Sequence, residues 1–192
     1  MSVQKLRDAL GNWIDDHEWD DFLTVNFNCQ STVLTAKAQF GKLCQRLDRH
    51  LLGSRYLKRP AERTFIIGFP EHISSNFHIH CLTKYNCIRH GSRSALEGIL
   101  QHYWKELVPS GTIHLQEAYD AAGAARYSTK EFGSYDRFDD IIFPGEFWSE
   151  STRQDHDSVN WNRLQVLKRR AEYANYERQR RGREPRSGET PS

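Results

Sequence analysis

The sequence predicts an α+β fold, an antiparallel β-sheet with helices packed on one face. Three observations predict it. Four short segments rich in apolar, aromatic and β-branched residues read as strands. A long segment between the first two repeats its apolar residues every three to four positions, as an amphipathic helix does. Only the polar stretch 71–76 separates the second strand from the third, a connection of hairpin type.

Taken in order, residues 6–16 form a short helix and 22–27 (FLTVNF) an alternating strand. The helix over 32–53 carries the stripe Leu34, Ala38, Phe40, Leu43, Leu47 and Leu51, and Gly53 is its C-cap. RTFIIGFP (63–70) is almost continuously apolar, which predicts a central strand. FHIHCLTKY (77–85) alternates again. Ser94 caps a helix over 95–107 that Pro109 ends, and TIHLQEAY (112–119) is the fourth strand. Residues 121–132 form a short helix, Ala-rich at its start, and 138–143 (FDDIIF) a fifth strand or an apolar loop. The central order, β-α-β-β-α-β, is that of a ferredoxin-like core. Residues 159–181 read as a basic helix with sparse apolar positions, and 182–192 as disordered. The organisation is an acidic helical extension over 1–20, a core over 21–143 and a C-terminal extension over 144–192.

The 192 residues suit one domain with tails, and 38% hydrophobic with 12% aromatic residues is enough to build its core. No apolar run approaches the roughly 20 residues of a membrane-spanning helix, and the first residues lack the apolar stretch of a signal peptide. Cys29, Cys44, Cys81 and Cys87 contain no C-x-x-C pair. They read as free thiols in a reducing cytoplasm and argue against a zinc ribbon. The net charge of +2 conceals an alternation. Residues 1–24 are net −4, 25–133 net +6, 134–160 net −5 and 161–192 net +5. Basic regions between acidic blocks suit a polyanionic partner or a solvated surface.

The stretch Glu71-His72-Ile73-Ser74-Ser75-Asn76-Phe77-His78-Ile79-His80 carries the chemistry. Alternate residues of a strand point the same way, so His78 and His80 share a face while Phe77, Ile79 and Cys81 take the other. Two adjacent imidazoles are a half-site for a divalent metal, and Glu71 across the hairpin can add an anionic third ligand. Two nitrogens, one carboxylate and open positions suit a catalytic ion, Mn²⁺ more readily than Mg²⁺. The second feature is Arg126-Tyr127-Ser128-Thr129-Lys130, where Tyr127 and Lys130 are i and i+3 on one helix face. A phenol with a pKa of about 10 is a weak nucleophile at neutral pH, which a neighbouring ammonium and a metal would correct. Taken singly, His-x-His is an ordinary strand pair, and Tyr127 and Lys130 are an ordinary core residue and a solvated charge.

The order of a Thr-bearing apolar strand (Phe22-Leu23-Thr24-Val25-Asn26-Phe27), His-apolar-His, and helical Tyr-x-x-Lys resembles the HUH endonucleases, specifically the rolling-circle replication initiators of plasmids and phages. The resemblance covers about residues 20–135. It implies a palm-like antiparallel sheet and nicking and joining of single-stranded DNA through a 5′-phosphotyrosine. It implies His78 and His80 as metal ligands with Glu71 chosen as the third and Glu62 and His72 as alternatives, Tyr127 as nucleophile, and Lys130 positioning the scissile phosphate. The cofactor would be Mn²⁺ or Mg²⁺. The partner would be single-stranded or hairpin DNA at a replication origin, with host replication proteins joining. Arg46, Arg49, Arg55, Lys58, Arg59 and Arg63 form a basic run for phosphates, with Arg126 beside the tyrosine. Lys168, Arg169, Arg170, Arg178, Arg180, Arg181 and Arg183 add a basic tail. No G-x-x-x-x-G-K-[ST] run marks a helicase motor. A transposase or relaxase would use the same chemistry, and a degenerate initiator would bind nucleic acid without cutting it.

Overall fold

The computed structural model describes residues 3–72, 75–85, 91–129, 140–143 and 145–147. Its elements are α1 (Val3–Asp15), β1 (Asp21–Asn26), α2 (Val33–Leu52), β2 (Phe65–Glu71), β3 (His78–Lys84), α3 (Arg93–Leu107), β4 (Thr112–Glu117) and α4 (Ala121–Ser128). Two 3-10 turns, Tyr56–Lys58 and Pro60–Glu62, link α2 to β2. The four strands form one antiparallel sheet in the order β2-β3-β1-β4. The α+β class and the β-α-β-β-α-β order are those the sequence predicts. The basic helix over 159–181 and the disordered end lie outside the described residues.

The strands form where the period of two meets two apolar layers. On one face Leu23, Val25, Ile66, Ile79, Cys81, Ile113 and Leu115 meet Phe40, Leu43 and Leu47 of α2 and Leu96, Leu100 and Trp104 of α3. On the other face Phe65, Ile67, Phe69 and Leu82 meet Leu6, Leu10, Trp13 and Ile14 of α1 and Ala125 of α4. Helices therefore cover both faces rather than one. The expectation of a single face holds for α2 and α3, and α1, within residues 1–20, packs into a second core on the other face.

The helix boundaries follow their caps. Thr32 Oγ1 accepts from the Thr35 amide at 3.1 Å, and Gly53, at φ 77°, closes α2 by donating to the Arg49 carbonyl. Ser92, not Ser94, caps α3, accepting from the Ala95 amide at 3.2 Å. The buried stripe of α2 runs through Ala36, Phe40, Leu43, Cys44 and Leu47. Leu34 is 81% exposed and Ala38 is also outside it, because at about 100° per residue both fall on the side of α2 opposite to Ala36.

β2 is an edge strand, not a central one. Its apolar run reflects burial on both faces, every residue from Phe65 to Glu71 being buried. Ile142 covers the outer edge, exchanging two 2.8 Å hydrogen bonds with Gly68. That isolated bridge is what the described part of 138–143 contributes, rather than a fifth strand. A side chain at Gly68 would put its Cβ 3.1 Å from Ile79 Cγ2 and 3.3 Å from Ile142 Cβ, so the close approach needs glycine. Pro70 falls on the same outward-facing register as Gly68, where its missing N–H removes no bond to β3. Among the described residues no helix is long and apolar enough to cross a membrane.

Candidate metal centre

Pairing sets the site. Glu71 lies opposite His78 and Phe69 opposite His80 across β2 and β3, while Thr24 of β1 lies opposite His80 on its other side. Cross-strand partners share a face. Glu71, His78, His80 and Thr24 therefore stand on the face that α1 and α4 partly cover, opposite to α2 and α3.

One carboxylate oxygen collects both rings. Glu71 Oε2 is 3.4 Å from His78 Nε2 and 3.6 Å from His80 Nε2. One ligand atom from each residue lies within 4.8 Å of the other two. These distances exceed a good N–H···O bond, but ligands at about 2.1 Å from one ion stand about 3.0 Å apart when adjacent. The two carboxylate–imidazole separations approach that spacing and need to close by about half an ångström. Glu71 is 2% exposed, and a buried carboxylate is costly without an opposite charge. The donor set, two imidazole nitrogens and one carboxylate oxygen on one side, fits a divalent metal with open positions for substrate.

The far nitrogens of both rings are held. His78 Nδ1 lies 2.9 Å from the Asn76 carbonyl, which can only accept, so Nδ1 carries a hydrogen and in the neutral ring Nε2 keeps its lone pair. His80 Nδ1 lies 3.0 Å from Thr24 Oγ1, and the Phe22 ring stacks on the imidazole at 5.2 Å between centroids. The His78 and His80 rings stand 4.7 Å apart. Thr24 stands in the strand the sequence marks, but its hold on His80 exists only through the β1–β3 register. Neither Thr24 nor Asn76 carries a ligand signal of its own.

Of the alternative third ligands, Glu62 is half-exposed and ion-paired with Arg59 in the second 3-10 turn. His72, at φ 49°, turns the chain out of β2 and lays its ring 5.1 Å from that of His78, outside the set of three.

Tyr127 lies near the end of α4, whose Ala125 is buried in the core on the metal face, and is 58% exposed. Asp120 starts this helix by accepting from the Gly123 amide at 2.7 Å. Arg126 reaches back to Asp15 of α1 at 3.4 Å. Lys130 lies outside the described residues, as do the tail cations from Lys168 to Arg183.

The basic run divides. Arg63 is corrected outright: it is 1% exposed, and its Nε donates to Asp48 Oδ2 at 2.7 Å while its guanidinium lies over the Tyr56 ring at 5.5 Å. It is a buried ion pair and cannot meet a phosphate. Arg46 pairs with Glu106, and Arg59 with Glu62. Arg49, Arg55 and Lys58 are exposed. All of this run belongs to α2 and the turns after it. The structure therefore does not bring it beside Glu71, His78 and His80. No protein family, curated protein or solved structure matches the chain.

Proposed function

We propose that the chain is a metal-dependent endonuclease of the HUH type, which nicks and rejoins single-stranded DNA through a 5′-phosphotyrosine and thereby starts rolling-circle replication. One observation carries the reading. Two Nε2 atoms of a His-x-His strand and an oxygen of a buried glutamate converge on the sheet face against which the helix of an exposed tyrosine rests.

A bound Mn²⁺ or Mg²⁺ would supply positive charge and Lewis acidity toward the scissile phosphate. Glu71, His78 and His80 would hold that ion, the Asn76 carbonyl fixing the tautomer of His78 and Thr24 Oγ1 orienting the ring of His80. Tyr127 is the nucleophile. Its oxygen bonds to phosphorus in line as the bond to the 3′ oxygen breaks, the phenol loses its proton, and the 3′ oxygen gains one. Lys130 and Arg126 supply positive charge close to the tyrosine. One phosphoester is exchanged for another, so no nucleoside triphosphate is consumed and the reverse step rejoins the strand.

The test is a nicking assay on labelled single-stranded DNA pools with Mn²⁺ or EDTA. The native protein should form a covalent adduct that EDTA abolishes. Tyr127→Phe should reduce it by at least about 10³-fold while binding Mn²⁺ normally. DNA binding without an adduct in any pool would instead make the chain a nucleic-acid-binding module.

A further inference from the structure

The end of the sheet remote from the metal centre holds a second cluster of charge, set around a cleft of about 420 Å³. Asp21 opens β1 and pairs with Glu117 at the close of β4. Asp21 stands three residues from Thr24, about 10 Å along the strand. It also takes the register of Leu23 and Val25, which face α2 and α3, so the cleft is separate from Glu71, His78 and His80. The walls include Trp19, Asp20, Asp21, Glu117 and Arg93, the first residue of α3. The volume is within the range of small-ligand sites.

Three carboxylates here face one cation. Asp21 is 3% exposed, and a carboxylate at that depth is costly unless it is paired and hydrogen-bonded. Its Oδ1 accepts from Arg93 Nε at 2.5 Å, while Oδ2 has no hydrogen-bond partner among the described residues. Arg93 is divided between two acids, its second nitrogen lying 3.6 Å from Glu117 Oε2. The positive end of α3 also works against a cation at position 93. Arg93 therefore offsets one of the three charges and leaves an acceptor of the buried aspartate open.

The cleft has an aromatic wall as well. Trp19 Nε1 donates to the Ile14 carbonyl at 3.0 Å, and the ring stacks on Phe65 at 5.9 Å between centroids, so the indole is held in place. A fixed indole beside unneutralised carboxylates suits an organic cation. A planar guanidinium can stack on the ring and direct two N–H groups at the acids. An anion meets three like charges. A bare divalent ion finds no close triad here, because Glu71, His78 and His80 are the one such set among the described residues.

We propose that this cleft binds an alkylguanidinium group, free or as the arginine side chain of a peptide, between Asp21 and Glu117 and against the Trp19 ring. The site uses none of the residues assigned to DNA cleavage and does not depend on that reading.

The experiment is calorimetric titration of the full chain with butylguanidine, with an acetyl-Gly-Arg-Gly-amide tripeptide and with butylamine, in EDTA and about 0.1 M NaCl. At least one guanidinium ligand should bind at a single site with a dissociation constant of about 0.1–1 mM, and about fivefold or more tighter than butylamine. A tighter tripeptide identifies an arginine of a peptide as the occupant, and a tighter or equal butylguanidine identifies a free compound. The indole N–H resonance of Trp19 should shift on saturation. Asp21→Asn should weaken binding about tenfold or more, and Glu117→Gln about threefold or more. Glu117 is exposed, so its variant carries the test even if Asp21→Asn fails to fold. Absence of saturable binding, equal affinity for butylamine, or native affinity in either variant would overturn the proposal.

Discussion

At the scale of single residues, the candidate metal centre depends on groups outside the Glu71, His78 and His80 set. An imidazole coordinates through one nitrogen only if the other is held in the right tautomer and plane. For His80 that task falls to the Thr24 hydroxyl, 3.0 Å from Nδ1, with Phe22 stacked on the ring. Thr24→Val keeps the shape and removes the hydroxyl. It should weaken Mn²⁺ binding by about 10–100-fold in calorimetry, with little change in melting temperature, and Thr24→Ser should restore most of the affinity. Normal affinity in the valine variant would mean that stacking and register alone orient the ring. His78 needs no such side chain, because a backbone carbonyl holds it.

At the scale of elements, two devices hold the sheet between its helices. The first is the Asp48–Arg63 pair, which ties the C-terminal half of α2 to the approach of β2. Asp48 Oδ1 also accepts from the Thr64 amide at 2.9 Å. Burial pushes the Asp48 carboxyl up, and the Thr64 amide and Arg63 oppose that. Asp48→Ala leaves a buried guanidinium without its counter-charge and should cost about 3–5 kcal/mol in chemical denaturation. Asp48→Leu combined with Arg63→Met should lose far less, because both charges leave together. The second device protects the edges. On β4 the outward amides of Ile113 and Leu115 donate to Gln101 Oε1 and Glu97 Oε1 of α3, both at 2.8 Å. On β2, Ile142 takes the amide of Gly68. An open edge is a template for another strand. Glu97→Ala with Gln101→Ala should therefore lower stability by about 1–3 kcal/mol and produce concentration-dependent dimers in light scattering. A variant that stays monomeric at every concentration would show that the edge is guarded by other means.

At the scale of the molecule, the sheet is a partition. One side holds α2, α3 and the larger core, and the other holds α1, α4 and the candidate metal ligands. The larger core keeps three titratable groups neutral. Burial raises the thiols of Cys44 and Cys81 and the phenol of Tyr85 well above their usual values. A group whose folded pKa is raised favours the fold while it is neutral in both states. That contribution is lost as pH rises through the unfolded value, about 8.5 for Cys and 10 for Tyr. Denaturation midpoints should hold steady to about pH 8 and fall progressively above it. Tyr85→Phe should flatten the upper part of that fall, at the expense of its hydrogen bond with Thr83. A profile unchanged up to strongly alkaline pH would mean that these groups ionise in the fold as they do in water.

The sequence by itself determined the elements and their order, because helix and strand periodicity and capping act within a few residues. It also determined that His78 and His80 share a face, since alternation along a strand is a local property. It selected Glu71 as a candidate but left Glu62 and His72 beside it. Only the tertiary structure decided among the three, because the β2–β3 register that brings Glu71 opposite His78 is a long-range pairing. The same limit hid Thr24's contact with His80. It also made Arg63 look like a surface cation, although Asp48, fifteen residues earlier, buries it. The apolar run of β2 resembled a central strand because burial on both faces leaves the same composition wherever the strand lies in the sheet. Which face each helix covers was likewise beyond local pattern, and that choice separates the α2 cations from the metal centre.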